Sequence, residues 1–142
     1  MSRFDLPAAG TATLRIALGV LYLMHGLYLK VFVFTVPGTV QFFQSIGLPG
    51  PLAHATIAVE TLGGLALILG LRTRWVALAL LPVALGATWT HFGNGWLFTN
   101  AGGGFEFPLF LSVATAAQAM LGSGLWSLDP AMRGRRVAAL AH

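Results

Sequence analysis

Few side chains in this 142-residue chain can carry chemistry, and those few are unevenly placed. The sequence holds four acidic residues, eight basic ones, four histidines and no cysteine. Glu60, His25 and Lys30 stand within long apolar stretches. An ionisable side chain there is costly and faces either a protein interior or a wet cavity. A carboxylate such as Glu60 requires a cation or hydrogen-bond donors, and Lys30 and His25 are placed to supply them. Together in an apolar layer, the three groups can move a proton. Glu60 would relay it, His25 would act as acid or base, and Lys30 would serve as electrostatic partner. Read structurally, the same residues form a buried ion pair or hydrogen bond that fixes helix register.

The remaining polar residues are weaker candidates. His91 and Glu106 flank a glycine-rich stretch, where His91 reads as interfacial and Glu106 as the favourable carboxylate of a helix N-terminus just before Pro108. His54 reads as structural. Lys30 follows His25 by five residues, about 140° around an α-helix, so the two are not expected to share one narrow face. A haem held by His25 and His91 is not expected, because the two differ in depth and no C-x-x-C-H is present. No metal site is expected either, since H-E-x-x-H is absent. Without cysteine, this chain offers neither thiol relay nor iron–sulfur ligation of its own. Gly102-Gly103-Gly104 is followed by no Lys-Ser/Thr and is not a phosphate loop.

The elements that must position these residues follow from composition. Hydrophobic residues make up 56% of the chain and charged ones 8%, against roughly 25% charged in a soluble domain. Mean hydropathy is +0.79. A short chain is mostly surface, so 12 charged residues cannot cover it in water. That excludes a soluble enzyme, a disordered tail and a disulfide-stapled secreted domain. The net charge of +4 is a topology signal rather than a nucleic-acid footprint, because the basic residues sit at segment ends. A crossing helix needs about 20 residues. Cutting at Pro37-Gly38, at the 47–51 Gly/Pro cluster and at the 91–104 loop leaves four spans, about 13–36, 52–71, 74–91 and 106–126.

The expected fold is therefore all-α, a single membrane domain over 1–142 built as a four-transmembrane-helix bundle. The segment 39–46 is too short to cross and is expected to be re-entrant or interfacial, with Phe42 and Phe43 toward lipid. With four spans, Arg3, Arg15, Arg72, Arg74, Arg133, Arg135 and Arg136 all fall on one side, which places both termini in the cytoplasm. Arg15 is expected to snorkel. A signal peptide is not expected, because Arg15 interrupts the first apolar segment and no small-residue cleavage site follows it. By helical rise, Glu60 lies roughly 12 Å, His25 roughly 15 Å and Lys30 roughly 8 Å below the outer ends of their spans. Polar groups thus gather in the outer half. Gly19, Tyr22 and Gly26 on span one, and Thr56, Glu60, Gly63 and Gly64 on span two, form small-residue stripes suited to close packing.

Four pieces of the sequence, in order, resemble the DoxX family of membrane proteins. They are His25-Gly26 followed by Lys30, Glu60-Thr61-Leu62-Gly63-Gly64 running to Gly70-Leu71-Arg72-Thr73-Arg74, Gly102-Gly103-Gly104-Phe105-Glu106-Phe107-Pro108, and Gly122-Ser123-Gly124-Leu125-Trp126-Ser127-Leu128-Asp129. The resemblance implies a small four-helix integral membrane protein of a bacterial cytoplasmic membrane. The family takes its name from a subunit of a thiosulfate:quinone oxidoreductase, so the implied role is a quinone-linked redox component of a larger assembly. Glu60, His25 and Lys30 would then be catalytic, and Tyr22, His91 and Glu106 would contact the quinone. Implied partners are the bilayer and other membrane subunits or a second copy. The alternative is a non-catalytic accessory subunit in which Glu60 is structural.

Overall fold

The structure, a computed structural model, describes residues 5–129. Helix α1 (Leu6–Leu23) begins where the Asp5 carboxylate accepts from the Ala8 N–H at 3.1 Å and Pro7 occupies the first turn. At Met24 the hydrogen-bond ladder widens, and Met24–Val33 continues as a π-helical segment. Its last bond runs from the Phe34 N–H to the Leu29 carbonyl, 2.7 Å away and five residues back. The joined helix covers 28 residues, starting earlier than the sequence suggests. Thr35 follows at φ +64°, a left-handed conformation that strains a β-branched residue. Its hydroxyl accepts from the Gly38 N–H and caps the short helix α2 (Val36–Ser45), which Pro37 starts before the expected residue 39.

Helices α3 (Gly50–Leu69) and α4 (Thr73–Phe92) fall within two residues of the expected spans. Helix α5 (Glu106–Leu121) does not reach residue 126. It stops at Gly122, whose φ of +84° is open to glycine, and the Gln118 amide donates to the Gly122 carbonyl at 2.7 Å. The following chain turns back across the bundle end instead of extending the helix. There the Leu125 N–H meets the Ala8 carbonyl, and the Leu128 N–H meets the Leu69 carbonyl.

All described elements are helical. α1 packs along α3, and α4 along α5, each pair antiparallel. Leu18, Tyr22, Leu67, Leu80, Ala84, Leu111 and Ala114 form the core where the pairs meet. The α1–α3 approach depends on the glycine stripes. A Cβ on Gly64 would lie 2.6 Å from the Leu23 amide nitrogen, so only glycine admits this backbone contact. Gly63, next to it, faces the Leu80 side chain of α4.

Outside this seam the helices are apolar all round. Trp75 is 72% exposed, Phe110 68% and Met120 74%. Water does not tolerate so continuous an apolar surface, whereas hydrocarbon does. Three helices, Leu6–Val33, Gly50–Leu69 and Thr73–Phe92, are long and apolar enough to cross a membrane. Helix α5 is apolar and shorter, at 16 residues. The chain is a helical membrane bundle.

Arg15 departs from expectation. It is fully buried and does not snorkel. One guanidinium nitrogen donates to the Leu67 and Ile68 carbonyls at 3.1 and 3.4 Å, the other to the Leu125 and Trp126 carbonyls at 3.0 and 2.9 Å. The end of α3 presents carbonyls without intrahelical partners, and its dipole favours a cation, so the buried charge is drawn inward. Arg3, Arg133, Arg135 and Arg136, which the orientation argument uses, lie outside the described residues.

Candidate functional site

The end of the bundle opposite Arg15 encloses a cavity of about 1740 Å³ between the π segment, α2, the first half of α3, and the facing halves of α4 and α5. Its walls are mainly hydrocarbon and aromatic, including Phe34, Phe43, Leu52, Trp89, Phe107 and Phe110. Phe42 is 49% exposed, yet both it and Phe43 line this space, so they do not simply face lipid. Tyr22, His25, Lys30, Glu60, His91 and Glu106 all border it. The residues singled out from the sequence thus share one chamber.

At its floor, the Lys30 ammonium donates to Glu60 Oε2 at 2.6 Å, which decides the pairing of Glu60 in favour of Lys30. The Glu60 side chain is 7% exposed and that of Lys30 19%. Gly26 lets this pair form. A Cβ there would lie 2.7 Å from Glu60 Cβ, so any larger residue would push α3 and its carboxylate away. Among the described residues the second carboxylate oxygen, Oε1, has no partner, and two of the three ammonium protons of Lys30 have none.

His25 lies closer to this pair in angle than an α-helix allows. In a π-helix, residue i+5 is the hydrogen-bonded neighbour of residue i, so His25 and Lys30 come round to one face. The 140° separation expected for an α-helix does not apply, and both residues border the cavity. His25 Nδ1 lies 2.8 Å from the Leu21 carbonyl, which can only accept, so Nδ1 carries a proton. In the neutral imidazole, Nε2 is then an acceptor, and it has no partner among the described residues. The ring stacks on Phe107, with centroids 5.9 Å apart and planes 18° from parallel.

Tyr22 is buried, and its hydroxyl lies 2.7 Å from Thr115 Oγ1. Thr115 gives its own proton to the Leu111 carbonyl at 2.7 Å, so Tyr22 must be the donor of the shared bond. The phenol oxygen accepts no hydrogen bond among the described residues. Thr115 therefore orients Tyr22, and Thr39 ties α2 to the π segment by donating to the Lys30 carbonyl at 2.9 Å. Sequence reasoning missed both roles. A threonine bonding to backbone looks like any other small residue on a helix face.

His91 and Glu106 border the cavity, each with one side-chain polar atom bonded to the 93–105 loop. Glu106 Oε1 accepts from the Phe98 N–H at 2.8 Å, and His91 Nδ1 lies 3.0 and 3.2 Å from the Gly102 and Gly103 carbonyls. With the Asn94 amide on the same carbonyls, they fasten the 93–105 loop over the chamber.

Residues 10–93 match the DoxX family. A curated protein of Bacillus subtilis (strain 168), named "Putative oxidoreductase CatD", is 35% identical over 121 residues, covering 85% of each chain. No solved structure matches this chain.

Proposed function

The chain belongs to the DoxX family of membrane proteins, and from that premise we propose that it is a quinone-binding redox subunit of a larger membrane assembly. One observation carries this reading. The floor of a large apolar cavity holds an ion pair, Lys30–Glu60, whose unused valences face the empty space. Ligand sites are mostly apolar concavities with a few convergent polar groups, and this chamber is large enough for a ring and part of a hydrocarbon tail. Lys30 would donate to a ring oxygen. Glu60 Oε1 and His25 Nε2 would exchange protons with it, and Phe107 would hold the imidazole in register.

A bound quinone supplies two-electron, two-proton redox chemistry. The residues here bind, orient and move protons, and the electrons would come from a partner subunit, since this chain contains no cysteine for thiol or iron–sulfur chemistry. The redox class in the relative's name agrees with this reading. We place the protein with four spans and both termini in the cytoplasm of a bacterial inner membrane. The placement of Arg72 and Arg74 at the turn between α3 and α4 supports that orientation.

The test is a titration of the full chain in lipid nanodiscs with a short-chain ubiquinone or menaquinone, read by tryptophan fluorescence, since Trp89 lines the cavity. Saturable quenching is expected in the wild type. It should weaken at least about 100-fold in Glu60→Gln, because Glu60 holds the Lys30 ammonium in place, and that variant should lose no more than about 2 kcal/mol of stability. Wild-type protein that shows no saturable quenching with either quinone contradicts the proposal.

A further inference from the structure

Hydrogen-bond directions at the cavity floor are asymmetric. Thr115 has committed its proton to Leu111, and Tyr22 has committed its own to Thr115, so the Tyr22 oxygen can only accept. His25 has committed its Nδ1 proton to the Leu21 carbonyl, so the neutral ring offers Nε2 as an acceptor. Glu60 has one oxygen engaged by Lys30 and offers Oε1 as a second acceptor. Two side chains, His25 of the π segment and Glu60 of α3, therefore present acceptors to the chamber beside the Lys30 ammonium, and the Thr56 hydroxyl, one turn before Glu60, can serve either way.

We infer that this site is built for the reduced, dihydroxy form of its ligand, a quinol, and holds it more tightly than the matching quinone. The inference rests on the quinone reading above and deepens it. A quinone oxygen can only accept, so it satisfies Lys30 and leaves Glu60 Oε1 and His25 Nε2 facing an apolar ring. Buried polar groups without partners cost free energy. A quinol hydroxyl donates and accepts at once. It can take a Lys30 proton on its oxygen and give its own to Glu60 or His25. Sites that hydrogen-bond a ligand hydroxyl discriminate strongly against the analogue without it. Preferential binding of the reduced form also makes the bound couple a stronger oxidant, by about 30 mV for each tenfold difference in affinity.

The experiment compares one short-chain compound in its quinone form and, under anaerobic dithionite, in its quinol form. Both are titrated into the full chain in nanodiscs. The quinol is expected to bind at least about tenfold more tightly. In His25→Phe, which keeps an aromatic ring against Phe107 and removes Nε2, the ratio of quinol to quinone affinity should fall about tenfold. Equal affinities, or a tighter quinone, overturn the quinol preference while leaving the quinone reading standing. A His25→Phe protein that weakens both forms equally also overturns it. If neither form binds the wild type, both readings fail.

Discussion

Among the described residues, the bundle draws a cation inward near each end, Arg15 fully buried and Lys30 largely so, and treats them differently. Arg15 is sealed by main-chain carbonyls from α3 and from the 122–129 segment. Lys30 is held by one carboxylate oxygen at the floor of a large chamber and keeps donors to spare. Both sites bear the cost of taking charge out of water. Arg15 offsets that cost with backbone and joins three chain segments. Lys30 shares its cost with Glu60 and leaves the balance open to a ligand. Burial of a charge is therefore no sign of function by itself; what separates the two ends is whether hydrogen-bonding capacity is left over beside an empty space.

The contrast can be broken most forcefully at Arg15. Arg15→Met should destabilise the protein by about 3–5 kcal/mol, because four carbonyls from two chain segments lose the guanidinium that joins them. Thermal unfolding in nanodiscs measures this. Protein that still folds should bind quinone within about twofold of wild type, and a stable variant that had lost binding would invert the comparison. Gly64→Ala comes next. Its Cβ would meet the Leu23 backbone and prise α1 from α3, costing up to about 3 kcal/mol by the same assay.

Lys30 sharpens the contrast. Lys30→Met should cost about 2 kcal/mol by stranding Glu60, and the double variant Lys30→Met/Glu60→Gln should recover most of that loss. Quinone titration should show no recovery of binding in the double variant. Restored binding would mean that the pair is only a register device. Smallest is His91→Ala, which frees one side of the 93–105 loop for about 1 kcal/mol and should leave quinone affinity unchanged.

The sequence carried the helices themselves, because apolar runs cut by Pro and Gly have one reading when charge is so scarce. It also carried the membership of the chamber, since Glu60, His25 and Lys30 are conspicuous in hydrocarbon. It did not carry the π segment. Periodicity assumes an α-helix, and the wider ladder after Met24 is what brings His25 round beside Lys30. Nor did it carry the fate of Arg15, whose partners are main-chain carbonyls and leave no mark in residue types. The end of α5 was legible in part. Gly122-Ser123-Gly124 is a breaker signal, although the apolar Leu125-Trp126 beyond it mimics a continuing span. Asp129, at the close of that segment, accepts from the Ser123 hydroxyl at 2.8 Å.

The most direct test of the open pair as the ligand site is photolabelling with an azido-quinone in nanodiscs, mapped by mass spectrometry. Label should fall on peptides from the π segment, the first half of α3, or the Phe107–Phe110 wall, and should disappear in Glu60→Gln. Label that persists in Glu60→Gln, or that lands on the 122–129 segment beside Arg15, would contradict the assignment.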